Sequence, residues 1–486
     1  MRRVLYPLFS ATSRNASYQT LPKTQLYFPM IARFFSLWIM GRSVLRYSLL
    51  FLSVGLLSCS SQEPTRETKP NVILIFTDDQ GYGDLASYGS DTIRSPRLDQ
   101  LAEEGIRFTN FYAQAVCGPS RSALLTGRYP IVSGGWSMPA SEITLGELFQ
   151  SAGYQTGLIG KWDVSNRAPI PERMPNAQGF DYFFGHLGAN DKGQVHFVKN
   201  QQQFGSTADM SSLTRRFTDE SIQFIKKNRE RPFFLYLAHT MPHSVIDASL
   251  EFRGKSKAGL YGDVIEELDH HTGRLLDAID ELGLRNNTIV VFMSDNGPWN
   301  NNQQELRRKN AGRIAWGSSG PLRGGKGSSY EGGFRVPCIL RWPNHVPAGR
   351  VSAATFATID LLPTLASLAG YAIPTDRDIH GVDQTDLLLG KSDAGARDDF
   401  FYFSKNELHG VRKGPWKLML PDRRDFYRYV SDKGSSGVEL YNLENDVGEE
   451  HNVAVDHPEV VQRLLEHAKS FEMPDQLFSP EILLGR

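Results

Sequence analysis

Four short, continuous apolar runs recur along the chain, the pattern expected of strands buried on both faces of a parallel sheet. They cover residues 71–77, 156–160, 232–238 and 288–293. Polar side chains follow each run, namely Asp78 and Asp79, Lys161 and Asp163, His239 and His243, and Asp295 and Asn296. Ligands of open α/β sheets bind at the carboxyl ends of the strands. The recurrence therefore favours an enzyme over four unrelated turns.

Helical periodicity separates these runs. Helices are predicted over residues 98–105, 145–153, 260–284 and 361–370. Alternating strands and helices predict an α/β/α sandwich with a large, mostly parallel sheet. The acids of the long third helix, with His270 and His271, are expected on a solvated face. The polar, glycine-rich residues 300–320 are expected to form a long loop bordering the site.

The pattern changes near residue 396, where short strands replace the alternation. These strands are predicted over residues 400–403, 410–412, 416–420 and 438–443, with a helix over 458–471. We expect a main domain over residues 70–395 and a smaller antiparallel-sheet subdomain with a helix over 396–486.

The first 69 residues do not have the pattern of a fold. Residues 1–39 show no sustained period, and we expect translation to start at Met40. Residues 40–59 pass from basic to apolar and end in LLSC, which resembles a bacterial lipobox, so Cys59 is expected to be lipidated. Residues 60–69 then form a polar tether. An exported periplasmic or cell-surface lipoprotein of a bacterium is predicted, held at the membrane only by lipid; an ordinary cleaved signal or a single membrane anchor is the alternative.

Overall composition excludes some functions. The net charge of the 486 residues is -1, from 53 Lys+Arg against 54 Asp+Glu, so no global basic field favours nucleic acid. Only three cysteines occur, Cys59, Cys117 and Cys338, and they do not suggest a disulfide framework.

One cysteine stands in a stretch with the pattern of an anion site, CGPSRSALLTGR at residues 117–128. Pro119 favours the first turn of a helix and Gly127 its end. Cys117 is then expected at a helix N-terminus, with Arg121 one turn further on the same face. A nucleophile and a guanidinium at that position suit a sulfate-like or phosphate-like oxyanion. A buried structural cysteine is the alternative.

This stretch resembles the signature of the type I sulfatases, and the resemblance extends from about residue 70 to the C-terminus. It implies an alkaline-phosphatase-like fold and hydrolysis of sulfate esters. It also implies that a maturation enzyme oxidises Cys117 to formylglycine, whose hydrate is the nucleophile.

The acids that follow two of the predicted strands suggest a metal site. Asp78, Asp79, Asp295 and Asn296 offer only oxygen ligands, which suit Ca²⁺ or Mg²⁺ and not zinc. The resemblance matches these four positions to Ca²⁺ ligands and adds modified Cys117 to the set. A turn is the alternative for Asp295 and Asn296.

Cationic and imidazole side chains complete the candidate site. Arg121, Lys161 and Lys326 are candidates to hold the anion, and Lys326 lies in GGKGSSYEGG, which resembles a sulfatase motif whose lysine contacts sulfate. His243 matches the histidine that assists the leaving group together with Lys326. His239 either lines the site as a substrate-binding residue or belongs to the core.

The sequence departs from the sulfatase pattern at one position. Most relatives have histidine after GKW, as the base that helps to expel sulfate, whereas this chain has Asp163. We hypothesise that an ionised Asp163 takes the same proton.

Three functions remain open at this point. The first is a sulfatase acting on sulfated carbohydrate; the second is a phosphonate or phosphodiester hydrolase of the same superfamily. The third is a lipoprotein that binds sulfated glycans without turnover. Five residues are candidates for sugar subsites, although exposed loops are the favoured interpretation: His186, Asn190, Lys192, His196 and Trp299.

Overall fold

The first predicted strand lies at the centre of the protein. In the computed structural model, which describes residues 69–474, it is β1, Asn71–Thr77, and is buried along its whole length. Its side chains alternate between two cores, with Val72 and Leu74 in one and Ile73 and Ile75 in the other. The predictions for the signal, the tether and Cys59 lie outside the described residues.

The elements follow in the order that the sequence pattern indicates. The strands after β1 are β2 (Ile106–Phe108), β3 (Phe111–Tyr112), β4 (Gln155–Lys161), β5 (Tyr182–His186), β6 (Val195–Lys199), β7 (Gln202–Thr207), β8 (Phe233–Ala238), β9 (Thr288–Ser294), β10 (Cys338–Arg341), β11 (Arg350–Ser352), β12 (Phe356–Ala357), β13 (Asp399–Ser404), β14 (Glu407–Lys413), β15 (Trp416–Met419) and β16 (Glu439–Asn442). The α-helices are α1 (Pro96–Glu103), α2 (Cys117–Thr126), α3 (Pro130–Ser133), α4 (Leu145–Ser151), α5 (Leu213–Asn228), α6 (Gly259–Glu281), α7 (Gln303–Lys309), α8 (Glu331–Phe334), α9 (Leu361–Leu368), α10 (Thr385–Leu388) and α11 (Pro458–Lys469).

The large sheet has ten strands in the order β11-β2-β10-β9-β1-β8-β4-β5-β6-β7. Its five central strands, β9 to β5 in that order, are parallel, and β10, β6 and β7 run antiparallel to their neighbours. Helices α4 and α9 pack into one core, and α5 and α6 pack into the other. The predicted α/β/α sandwich is confirmed, with mixed strand direction at both ends of the sheet.

The four strands that the apolar runs predict are direct neighbours in this sheet, in the order β9-β1-β8-β4. Backbone pairing continues just beyond their ends: the Asp295 N–H donates to Thr77 O at 3.1 Å, and the His239 N–H donates to Phe76 O at 2.8 Å. The polar residues that follow these strands therefore start from one edge of the sheet.

The prediction of a solvated acidic face on the long helix is wrong for its first half, although Asp277, Asp280 and Glu281 near its end are exposed. Asp263, Glu267, Asp269 and His271 of α6 are buried, whereas His270 is exposed. Asp269 accepts hydrogen bonds from the backbone at the start of α1, and Asp263 accepts three from the loop before α6. The acids are buried because they satisfy backbone donors that would otherwise have no partner.

The segment 300–320, predicted as one long loop, contains helix α7. The Asn302 side chain caps this helix by accepting a hydrogen bond from the Glu305 N–H. The helix residues QQELRRK include several good helix formers, so local propensity explains the difference.

The second sheet, β13-β14-β15-β16, and α11 form a small-sheet subdomain. It packs against residues of the large-sheet part such as Tyr112, Ala123 and Phe334. A buried ion network joins the two parts. Lys417 of β15 lies 3.1 Å from Glu331 and 2.8 Å from Glu449, and all three side chains are fully buried. Glu331 also accepts hydrogen bonds from the hydroxyls of Tyr112 and Tyr402. This network fixes the small sheet beside the loop that carries Lys326.

We expect Lys417→Met to lower the free energy of unfolding by about 3–5 kcal/mol, because it leaves two buried carboxylates without their cation. Chemical denaturation measures the change. Lys413→Met is the matched control, since Lys413 forms an exposed pair with Asp398, the residue before β13, and the variant should lose at most about 1 kcal/mol. Equal losses in the two variants would contradict the importance of the network.

Candidate active site

A cavity of about 740 Å³ lies at the carboxyl edge of the sheet. Cys117, His243 and Lys326 line it, together with residues that follow β4 and β9 and residues of the small-sheet subdomain. Three side chains that the sequence predicts for catalysis therefore face one space of the size that accommodates small-molecule ligands.

Helix α2 presents Cys117 to this cavity. The helix starts at Cys117, is buried throughout and ends at Gly127, whose φ of +67° suits glycine. The Sγ atom of Cys117 lies 3.3 Å from Lys326 Nζ and 3.8 Å from Asp79 Oδ1. Trp136 packs so closely on Gly118 that a Cβ atom there would lie 2.2 Å from the indole ring.

The four predicted metal ligands converge beneath Cys117. Asn296 Nδ2 donates to Asp79 Oδ1 at 2.7 Å, and the Asp79 N–H donates to Asp295 Oδ1 at 3.1 Å. The Oδ1 atoms of Asp78 and Asn296 are buried and have no hydrogen-bond partner among the described residues. Ligand atoms of Asp78, Asp79, Cys117 and His243 also lie within 4.8 Å of one another. Buried oxygens without donors fit a cation bound at this position.

The three predicted cations pair with these acids. Lys161 Nζ lies 2.6 Å from Asp78 Oδ2, Arg121 Nη2 lies 2.8 Å from an oxygen of Asp295, and Lys326 Nζ lies 2.7 Å from an oxygen of Asp79.

The two sides of this cluster differ in exposure. Arg121 and Lys161 are fully buried behind the cavity, and only Lys326 of the three cations lines it. Burial opposes ionisation of Asp78, but the charge of Lys161 leads the effects that hold its pKa well below the usual value. Burial and the charge of Asp78 raise the pKa of Asp295, whereas the charge of Arg121 beside it lowers it.

Asp163 is held by three donors, although it replaces a histidine of the sulfatase pattern. Its carboxylate accepts from Arg167 Nε at 2.9 Å and from Trp136 Nε1 at 3.2 Å, and it lies 3.3 Å from Lys161 Nζ. Burial by itself would raise the pKa of Asp163, but Arg167 and then Lys161 lower it to about 2. Asp163 is therefore ionised at neutral pH.

His243 is oriented by Asn190, which the sequence favours as an exposed loop residue. Asn190 is fully buried, and its Nδ2 donates to the backbone oxygens of His243 and Val245. Its Oδ1 therefore accepts from His243 Nδ1 at 2.9 Å, and Nε2 lies 3.8 Å from oxygens of both Asp79 and Asp191. Burial, followed by the charge of Lys326, lowers the pKa of His243. A bound anionic ester would raise the pKa again, because an opposite charge favours the imidazolium.

His239 does not lie in the cavity, so the prediction that it binds substrate is wrong. Its ring is buried toward α6, and neither ring nitrogen has a hydrogen-bond partner among the described residues. Burial, and then the charge of His271, lower the pKa of His239 to about 3. The alternation of side chains along β8 turns His239 to the core opposite Cys117.

The other subsite candidates divide into two groups. His186 is buried at the end of β5 and bonded to Thr240 Oγ1 at 2.5 Å, so the favoured interpretation as an exposed loop residue is wrong for it. Lys192 and His196 are exposed, and Trp299 lines the cavity.

Sequence reasoning missed an aromatic row along the cavity wall. Ring centroids are 6.4 Å apart for Trp136 and Tyr427, 5.9 Å for Tyr427 and Tyr429, and 5.7 Å for Tyr429 and Trp299. The two tyrosines come from the small-sheet subdomain, and only tertiary packing brings them to Cys117. Arg167, Asp191 and Arg428 also line the cavity without a sequence signal.

The fold and this site together define a hydrolase of sulfate-like or phosphate-like esters. Comparison with known proteins then gives the family: the chain belongs to the sulfatases, since the Sulfatase family model matches residues 70–371. The model of the C-terminal part of N-sulphoglucosamine sulphohydrolase matches residues 325–472. The predicted resemblance is confirmed, and the protein is a type I sulfatase of the alkaline phosphatase superfamily.

Curated relatives and solved structures agree with this result. The chain is 35% identical to N-acetylgalactosamine-6-sulfatase of Canis lupus familiaris over 76% of this chain and 74% of the relative. It is 35% identical to human arylsulfatase A, over 81% of this chain and 86% of the relative.

Among solved structures, a sulfatase described for metabolism of multiple glycosaminoglycans by Bacteroides thetaiotaomicron is 31% identical, with a TM-score of 0.74, over 83% of this chain and 99% of that one. Ps i-CgsB, in complex with k-i-k-neocarrahexaose, is 28% identical with a TM-score of 0.72, over 86% of this chain and 97% of that one.

We expect a divalent cation to raise the melting temperature of chelator-treated protein, because a ligand that binds only the folded state stabilises it. Asn296→Ala should reduce this shift, since it removes one of the two buried oxygens that lack donors. Thermal melts with and without Ca²⁺ or Mg²⁺ measure the effect. Asn445→Ala, in the turn after β16, is the control and should keep the full shift. Coincident melts of wild-type protein with and without cation would refute the site.

Proposed function

We propose that this sulfatase releases inorganic sulfate from a sulfated carbohydrate through a formylglycine made from Cys117. Hydrolysis of sulfate esters is the activity of the family. The observation that carries the rest is the position of Cys117, with Lys326 Nζ 3.3 Å away and His243 on the same cavity wall.

The state of the thiol supports modification of Cys117. Burial, and then the charge of Asp78, raise the pKa of this thiol well above its usual value. The thiol is therefore protonated at neutral pH and is a poor nucleophile. A hydrated aldehyde at the same position offers two hydroxyl groups instead.

Two steps then complete the reaction. One hydroxyl of the hydrate loses its proton to water as its oxygen attacks sulfur. The bond between sulfur and the sugar oxygen breaks, and that oxygen takes the proton of the His243 imidazolium, assisted by Lys326. The second hydroxyl gives its proton to Asp163, the carbonyl forms again, and the bond between carbon and the ester oxygen breaks to release sulfate. Cysteine or serine has no second hydroxyl and would remain a stable ester.

The buried cations act behind the reacting atoms. Arg121 and Lys161 keep Asp295 and Asp78 in place, while Lys326 meets the sulfuryl group. We infer that the acids and Asn296 hold Ca²⁺, with Mg²⁺ as the less favoured ion. When bound, the cation offsets negative charge on the sulfuryl oxygens.

A carbohydrate fits the cavity in two respects. The aromatic row offers flat apolar faces, and five basic side chains line the cavity against two acidic ones, which favours an anionic ligand. Two of the related proteins, N-acetylgalactosamine-6-sulfatase and the neocarrahexaose complex, also carry names of saccharides. Export, a lipid at Cys59 and a formylglycine-generating partner remain part of the proposal. Within residues 69–474, the helices are too short or too polar to span a bilayer.

The mass of the tryptic peptide around residue 117 tests the modification. Protein from a host with the maturation enzyme should carry the aldehyde and release sulfate from aryl and sugar sulfates. Cys117→Ala should lose at least about a thousandfold in kcat, because the nucleophile is gone. Phosphate and phosphonate esters, assayed in parallel, should turn over more slowly. An intact thiol in fully active protein would refute the mechanism.

The role of Asp163 as the base has its own test. Asp163→Asn keeps the shape but removes the charge, so the first step should persist while the second slows. A sulfate ester on residue 117 should then accumulate, visible in the intact mass after mixing with an aryl sulfate. Arg167→Gln is the comparison. It removes a donor to Asp163 but keeps the Asp163 carboxylate, so no sulfate ester should accumulate on residue 117. Full turnover by Asp163→Asn would show that Asp163 is not the base.

A further inference from the structure

A second cavity of about 680 Å³ lies beside the first. Both cavities are lined by Arg167 and Asp191, whose side chains form an ion pair of 3.1 Å. The two spaces are therefore adjacent, and this pair is the part of the wall that they share. Neither residue of the pair follows from the sulfatase signature in the sequence.

The shared wall is anchored from behind. Arg167 Nε donates at 2.9 Å to Asp163, which is fully buried, so the guanidinium spans from the reaction site to Asp191. Asn166 and Arg167 both have left-handed backbone conformations, with φ of +54° and +55°. Such conformations are unfavourable for residues other than glycine and cluster at functional sites.

The rest of the second cavity combines apolar and polar side chains. It lies between the end of β5 and the β6–β7 hairpin, with Leu187, Val195 and Phe197 among its apolar lining residues. Lys192 and His196 line it as well, are exposed to solvent and form no ion pair among the described residues. A sugar ring has apolar faces and a polar rim, and a carboxylate or sulfate on it would pair with the lysine.

We propose that this second cavity is a subsite for the anionic sugar unit next to the one that carries the reacting ester. This inference rests on the proposed carbohydrate substrate. Its volume, within the range of about 300–1,000 Å³ for ligand pockets, admits one monosaccharide unit with water. The protein then selects a saccharide of at least two units, with a negative group on the unit that meets Lys192 and His196.

Two series of saccharides test the subsite. One is chondroitin-type, with 6-O-sulfated N-acetylgalactosamine and uronic acid, and the other is sulfated and carrageenan-type. Each series contains a monosaccharide, a disaccharide and a tetrasaccharide. Release of sulfate gives kcat/KM, and titration calorimetry on Cys117→Ala gives affinity without turnover. In at least one series, wild-type protein should gain about tenfold in kcat/KM from monosaccharide to disaccharide. Cys117→Ala should show the same gain in affinity.

The variant Lys192→Ala/His196→Ala should lose that gain while its activity on the monosaccharide stays within about twofold of wild type. Lys192→Arg should keep most of the gain, because it keeps the charge. Lys257→Ala, an exposed lysine before α6, is the matched control and should change nothing.

Failure of this inference differs from failure of the proposed function. If longer saccharides bring no gain in either series, or if the gain survives in the double variant, the subsite is refuted even though sulfate is released. If wild-type protein releases sulfate only from aryl esters and Cys117→Ala binds no saccharide, the carbohydrate substrate itself is refuted, and the subsite with it.

Discussion

Three buried carboxylates and three buried cations meet at the carboxyl edge of the sheet, and the site depends on their mutual compensation. A buried charge without a partner is strongly destabilising, so neither set is stable without the other. Each cation also comes from a different place in the chain: Arg121 from α2, Lys161 from the end of β4 and Lys326 from the loop before α8. Their pairing with the acids after β1 and β9 therefore joins helix, sheet and loop around Cys117.

The same cluster separates the side chains that line the cavity from those that lie behind it. Arg121 and Lys161 lie behind the acids, whereas Lys326 and His243 reach the cavity. Asp163 occupies an intermediate place, because it binds Lys161 on one side and Arg167 on the other. Asp163, which stands where the sulfatase pattern has histidine, therefore contacts the wall between the two cavities through the guanidinium of Arg167.

The small-sheet subdomain supplies much of the surface around the reacting group. Tyr427, Arg428 and Tyr429 line the first cavity, and the buried network of Glu331 and Lys417 fixes their subdomain to the large sheet. Cys117, His243 and Lys326 come from near the edge of the large sheet, and the later part of the chain adds aromatic and basic side chains to the same cavity.

The sequence by itself determined the buried strands, the polar residues after them and helix α2 with Cys117, because periodicity and turn chemistry are local. It also gave the family through a long motif. Only the tertiary structure decided that His239 faces the core opposite Cys117, that Asp263, Glu267 and Asp269 of α6 are buried and that Asn190 orients His243. Those outcomes depend on hydrogen-bond partners and side-chain directions set by residues far apart in the chain, for which local sequence carries no signal.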